Sequence, residues 1–376
     1  MDAKILAVGL IVGLLIGIGI GYLLHQPSPT AVTTPITTTA APSTPATFSV
    51  GAAGTLKFSF NDLLKLYSRL YPNIPTGQPL YEGSGKLAQD EATSKQFSFV
   101  ASADTTTIPA VLFKDNLTDY EVAFGVTQVV IIVNLNTTAG REVYELWRQA
   151  QSLQPLSAQW NSTWRQIFAI IALNSSTAVG VSDPFTDPSG YQAMCMLKLA
   201  GLTFFGNSDL LFDAIYRNPS KYFMRTTEVD LLSLMPGGQI QFILSAYQSN
   251  AIPQVKEYRG LTYITLPPQI NLGSLNYTDY YHSVSVTWTE AGKTKTFACN
   301  PVIYTFTIPR TAPNPEAAVY FALLIFSPQG QKVLRSYGID PISPGIVYGN
   351  ISDVPTPLRP FVVSLSQVPQ YSSAFP

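Results

Sequence analysis

Three short segments place a hydroxyl residue beside glycine where an apolar run gives way to a helical pattern: Gly54-Thr55, Gly83-Ser84-Gly85 and Ser189-Gly190. A strand-to-helix turn of this kind presents backbone N–H groups that no helix carbonyl can reach, at the positive end of the helix dipole. Glycine lets a bound group come close to the backbone, and the hydroxyl offers one more donor. Several such turns converging in a cleft can hold an anion without lysine or arginine. Taken singly, each reads more simply as a helix start, where Ser, Thr and Asp are the usual caps. Nucleophilic and metal chemistry lack their parts. The chain has two histidines, His25 and His282, and two cysteines, Cys195 and Cys299, with no paired-cysteine, paired-histidine or nucleophile-elbow motif. An enzyme is therefore not expected, nor a cofactor.

Composition narrows the partners. Of 376 residues only 12% are charged, about half the usual share, and the net charge is −1. No basic face is available for nucleic acid and no acidic tail exists. Such a chain is long enough for two compact lobes. The cysteines are compatible with a Cys195–Cys299 disulfide outside the cell, but Cys195 lies in the apolar run AMCMLKLAGL and reads better as a small buried hydrophobe.

The elements that must position these turns begin near Phe48. TFSVGAAGTLKFSF reads as a strand entering a glycine turn, and Leu63, Leu64, Tyr67 and Leu70 then repeat at helical spacing. SFVASAD is strand-like, and VTQVVIIVN is a short strand run without charge, of the kind buried on both faces. Asn314 and Pro315 make an N-cap and first helical residue before EAAVYFALLIF; Ser327-Pro328 repeats the signal, and Gly338 closes that helix. Strands alternating with helices predict an α/β fold on largely parallel sheets.

Ahead of this body, Ile5 to Leu24 is an apolar run of 20 residues, enough to span a bilayer as one helix. With no small-residue cleavage site close behind it, the run is read as an uncleaved transmembrane anchor over residues 1–26. Gly9, Gly13, Gly17 and Gly21 share one side of it. Residues 27–47 are Thr, Pro, Ser and Ala-rich, an extended stalk. Six N-x-S/T sequons follow, at Asn116, Asn136, Asn161, Asn174, Asn276 and Asn350. Together these place the body on the extracellular side of the cell membrane.

Ordered along the body are VGVSDPFTDPSGYQAMCMLKLAG, LPPQINL and IPRTAPNPEAAVYFALLIFSPQGQKVLRSYGIDPISP. In wording and order they resemble the archaeal tungstate/molybdate-binding proteins of ABC importers, an extracellular solute-binding family. GAAGTLKFSFNDLLKLY is similar to the family's opening motif, with Thr55 where a serine is usual, and YEGSGKLAQ to its second, with Ser84 as the hydroxyl. DPSGYQA resembles Asp-Pro-Cys-Gly-Tyr-Arg, so Asp187 falls on a carboxylate that ligates the oxyanion's metal, and Ser189 replaces the cysteine. In ILSAYQSNAI, Ala246 stands where family members carry a second, glutamate ligand; Tyr247 falls where related bacterial molybdate-binding proteins use a tyrosine hydroxyl.

The resemblance implies a two-lobed periplasmic-binding-protein fold (type II) with two crossover strands, preceded by the one transmembrane helix. Lobe I is expected over 48–128 and 304–345, lobe II over 129–303, and an extended tail over 346–376. The site residues it implies are Thr55, Ser84, Asp187, Ser189 and Tyr247. The expected ligand is tungstate or molybdate and the expected partners are an ABC permease and ATPase. Alternatives are a receptor for another anion such as sulfate, or a surface protein without a transport role. With one carboxylate missing, the oxyanion is expected to stay four-coordinate, Asp187 turning to cap its own helix.

Overall fold

The computed structural model describes residues 46–376. The expected anchor and almost all of the stalk lie outside these residues; among the described ones no helix is long and apolar enough to cross a membrane.

The chain crosses between two sheets. Strands β1 (Val50–Ala53), β2 (Leu80–Glu82), β3 (Phe99–Ser102) and β4 (Tyr120–Thr127) build the first, with helices α1 (Lys57–Leu70) and α2 (Ser84–Ser94) between them. The second takes β5 (Val129–Asn134), β6 (Val179–Ser182), β7 (Tyr222–Arg225), β8 (Phe242–Tyr247) and β9 (Leu261–Thr265). Among its helices are α3 (Pro188–Ala200), the short α4 (Glu228–Leu231) and α5 (Gln248–Glu257). A hairpin, β10 (Ser285–Glu290) and β11 (Lys293–Ala298), precedes the return strand β12 (Val302–Thr307). The first sheet is then completed by α6 (Pro315–Phe326), α7 (Pro328–Ser336), β13 (Asp340–Gly349) and β14 (Val362–Ser364). Strand order is β14-β13-β4-β12-β3-β1-β2 in the first sheet and β7-β6-β8-β5-β9 in the second. We call the halves built on them lobe I and lobe II.

Both sheets are mixed, where alternation of strand and helix predicts largely parallel ones. β1 runs parallel to β2 and β3, and β6 parallel to β7 and β8. The strands that carry the chain between lobes pair antiparallel: β4 with β12, and β5 with β8 and β9. A chain that leaves one lobe and later returns must run opposite to its own βα units where it crosses, and this is the physical origin of the difference. β4 passes into β5 with only Gln128 between them, whose side-chain Nε2 donates to Gln248 Oε1 at 2.8 Å and whose Oε1 accepts from Asn271 Nδ2 at 2.9 Å.

The apolar run of β5 follows from burial on both faces. Val129, Ile131 and Val133 join the main core of lobe II, while Val130 and Ile132 join a second cluster on the opposite face. Lobe I packs around Phe60, Phe99, Phe306 and Phe321, with ring centroids of Phe99 and Phe321 5.1 Å apart. On α1, Leu63, Leu64 and Tyr67 are buried as the spacing predicts, but Leu70, its last residue, is 55% exposed. Asn314 caps α6 by accepting from Ala317 N, and Ser327 caps α7 by accepting from Gly330 N.

Cys195 and Cys299 are joined as a disulfide, contrary to the reading of Cys195 as an isolated buried hydrophobe. The bond ties α3 to the segment entering β12. Residues 346–376 are likewise more than an extended tail. Gly345–Val347 of β13 pair in parallel with Val362–Ser364 of β14, and 3-10 turns follow. Thr105 in lobe I donates to the Ala374 carbonyl at 2.8 Å, and Ser373 donates to Asp279 in lobe II at 3.1 Å. Of the six sequon asparagines five are exposed and Asn161 is half-buried.

Candidate functional site

A cavity of about 490 Å³ opens between the lobes. Lobe I contributes Gly54, Thr55, Gly83, Ser84 and Ala103; lobe II contributes Asp187, Pro188, Glu228 and Tyr247. The structure thus brings together four of the five residues singled out from the sequence. Ser189 is the exception. Its hydroxyl meets Ser182 Oγ at 2.8 Å inside lobe II, and it does not line the cavity.

Each wall is built by strand ends. β1 stops at Ala53, and Gly54-Thr55-Leu56 form a single tight turn leading into α1, with no side chain capping it. β2 stops at Glu82, Gly83 turns the chain, and Ser84 begins α2, again without a side-chain cap. β8 ends at Tyr247, which begins α5 with no capping bond. Uncapped helix starts leave backbone N–H groups to be satisfied by whatever occupies the cavity.

The hydroxyls differ in what they have free. Ser84 Oγ accepts from Ala103 N at 3.0 Å, which leaves its proton to donate. Thr55 Oγ1 lies 2.6 Å from Ser249 Oγ and 2.7 Å from Tyr304 OH, and these two are 2.7 Å apart. The three hydroxyls close a ring that spans the lobes, since Ser249 belongs to α5. Thr55 can give its proton to a ligand only by opening that ring. Tyr247 OH donates to Gln192 Oε1, and burial holds its hydroxyl in the neutral phenol form. The other amide atom of Gln192, Nε2, is a buried donor without a partner.

Asp187 is the N-cap of α3: Oδ1 accepts from Ser189 N at 2.9 Å, and Oδ2 from Glu228 N at 3.3 Å. Beside it stands a residue the sequence reading missed. Glu228 is buried, lines the cavity and accepts from Asn250 Nδ2, and its backbone N–H is the one that Asp187 Oδ2 accepts. Burial first, and the neighbouring Asp187 second, push Glu228 well above the ordinary carboxylate range. Ala246 is buried in β8 opposite Val130, as its apolar character requires. The cavity nevertheless holds a second carboxyl, reached from α4 rather than from β8. A single cation, Lys57, is found among the lining residues.

The cavity is therefore lined by hydroxyls, a phenol, uncapped helix starts and three acids: Glu82, paired with Lys86, Asp187, which caps α3, and Glu228, held well above the ordinary carboxylate range. The chain is 29% identical over 279 residues to the molybdate/tungstate-binding protein WtpA of Pyrococcus abyssi, covering 69% of this chain and 72% of that one. It is also 29% identical over 279 residues to WtpA of Thermococcus kodakarensis, covering 69% and 70%. The solved sulfate-binding protein SubI of Mycobacterium tuberculosis shares the fold, with a TM-score of 0.54 at 12% identity, covering 87% of this chain and 97% of that one. Residues 48–340 match the family model described as bacterial extracellular solute-binding protein, and the chain belongs to that family of non-enzymatic transport components.

Proposed function

We propose that the protein is a membrane-tethered receptor that captures tungstate or molybdate between its lobes and delivers it to an ABC permease and ATPase. The observation that carries this reading is the convergence of the uncapped helix starts at Gly54-Thr55 and Gly83-Ser84, faced by Asp187 and Tyr247, at one interlobe cavity. The likeness to the molybdate/tungstate-binding WtpA proteins supports the choice of ion. Donors held in fixed positions suit an oxyanion that carries no proton of its own, because such an ion only accepts hydrogen bonds. Glu228, held well above the ordinary carboxylate range, and Glu82, paired with Lys86, lessen the repulsion from the lining acids, and Asp187, engaged in capping α3, is not free to turn onto the metal. The bound ion therefore stays four-coordinate. Anchor 1–26 and stalk 27–47 hold the body outside the membrane, an arrangement with which five exposed sequons accord.

Calorimetric titration of the compact unit beginning at Pro45 with tungstate, molybdate, sulfate and phosphate tests the proposal. Saturable binding of the first two, much tighter than of the last two, is expected. Equal affinity for all four, or none, would overturn it.

A further inference from the structure

Gly83 and Gly85 flank Ser84, and local geometry does not explain both. Gly83 has φ −61° and ψ 137°, extended backbone that any residue adopts. A Cβ at Gly83 would instead lie 2.2 Å from the carbonyl oxygen of Thr186, in the opposite lobe. That oxygen cannot swing aside. It is backbone, in a turn fixed by hydrogen bonds from Thr186 N to Asp183 O at 3.2 Å and from Thr186 Oγ1 to Thr226 O at 3.1 Å. Gly85, two residues on, has nothing within 4 Å of a Cβ. One glycine is demanded by the other lobe; its neighbour is not.

We infer that Gly83 is the stop against which lobe II closes, its bare Cα letting the turn at Thr186 settle on lobe I so that Asp187 faces Ser84 across the cavity. Thr186 directly precedes Asp187, so any spacer at Gly83 lifts the lobe II wall from its partner. An alanine would need the wall to retreat by roughly 1 Å, a displacement of the size that disables a preorganised site. Gly83 is thus a positioning residue. It lines the cavity, but its lack of a side chain acts by setting how far the lobes approach. The alanine variant should fold no worse than the natural chain, because its backbone conformation at this position is unstrained.

The test uses the full chain in detergent micelles, with the native disulfide intact and dyes on Arg69→Cys and Gln151→Cys, exposed positions one in each lobe. Interlobe distance is followed by energy transfer with and without sodium molybdate, in the otherwise natural chain, in Gly83→Ala and in Gly85→Ala. The expected result is that Gly83→Ala loses the short-distance population in both conditions and binds molybdate roughly ten- to a hundredfold more weakly. Gly85→Ala should keep both. A short-distance population in Gly83→Ala equal to that of the natural chain overturns the inference. The ligand arm rests on the receptor reading. If the natural chain fails to bind molybdate, that reading falls, and the ligand-free distances still decide the role of Gly83.

Discussion

On the lobe I wall the cavity is lined by hydroxyls, uncapped helix starts, Lys57 and Glu82, whose carboxylate pairs with Lys86 at 2.6 Å; on the lobe II wall it is lined by two carboxyls and a phenol with no cation beside them. An anion seated by the first wall alone would be half wetted and weakly held. Closure covers the ion with Tyr247, whose proton is given to Gln192, but it also brings Asp187 and Glu228 toward the charge. The structure meets that cost locally, with two backbone N–H groups on Asp187 and a burial that pushes Glu228 well above the ordinary carboxylate range. Lobe I supplies attraction, and lobe II supplies enclosure made tolerable by neutralisation.

The lobes differ as well in how they are held. The disulfide brackets lobe II, closing a separation of 104 residues, and none is found in lobe I. Replacing Cys195 and Cys299 by alanine should cost about 4–5 kcal/mol of stability on chain-entropy grounds. Hydrogen exchange should quicken in β5 to β9 and leave β1 to β4 nearly unchanged. Uniform loss of protection in both lobes would show that the staple does not serve lobe II alone.

Ser84→Ala removes a free donor from the attractive wall and should weaken oxyanion binding by roughly ten- to a hundredfold, the usual worth of a hydrogen bond to a charged group. Ser189→Ala, behind the other wall, should change affinity by less than about threefold. Calorimetry on the pair decides whether cavity-lining or mere helix-start position matters.

The neutralised acid predicts a pH effect with a definite sign. Glu228 has a folded-state pKa raised above its unfolded value. Its contribution to stability is therefore fully present below the unfolded value and is lost as pH rises through the folded one. Melting temperature should fall across that window, and the fall should shrink in Glu228→Gln, which cannot ionise. An unchanged profile in the variant would place the proton elsewhere.

The smallest effect is expected at Asp187→Asn. Asparagine caps a helix about as well as aspartate, so α3 keeps its start and binding should change by less than about threefold. X-ray absorption of the tungstate-loaded protein should show four oxygen neighbours. Extra long oxygen neighbours together with abolished binding in the variant would mean that the carboxylate ligates the metal after all.

What the sequence made legible was local. Asn314 and Ser327 announce their helices because a cap needs only its own next three residues, and the run VVIIVN declares burial on both faces. The hydroxyl-glycine turns were legible for the same reason. Periodicity alone could not say that Asp187 would line the cavity while Ser189, two residues on, would turn inward. Glu228 left almost no trace. It begins a helix of one turn after Thr227, where an acid reads as an ordinary first-turn residue, and only the tertiary approach of α4 to α3 gives it meaning. The cysteines misled because a disulfide and an apolar core select the same surroundings for Cys195, and nothing in the sequence links it to Cys299. The mixed sheets were missed because strand direction at a crossover depends on the whole path of the chain.

Residues 369–375 have a practical consequence. Phe375 is buried against lobe I, where its ring lies 6.0 Å from that of Tyr348, and its near neighbour Ser373 bonds Asp279 of lobe II. Any hinge motion must shear this short stretch, whose residues do not line the cavity. A fluorine label on Phe375 would therefore report opening and closing as a chemical-shift change without placing a probe in the cavity. By the same token, an affinity tag appended beside it would press on the moving parts.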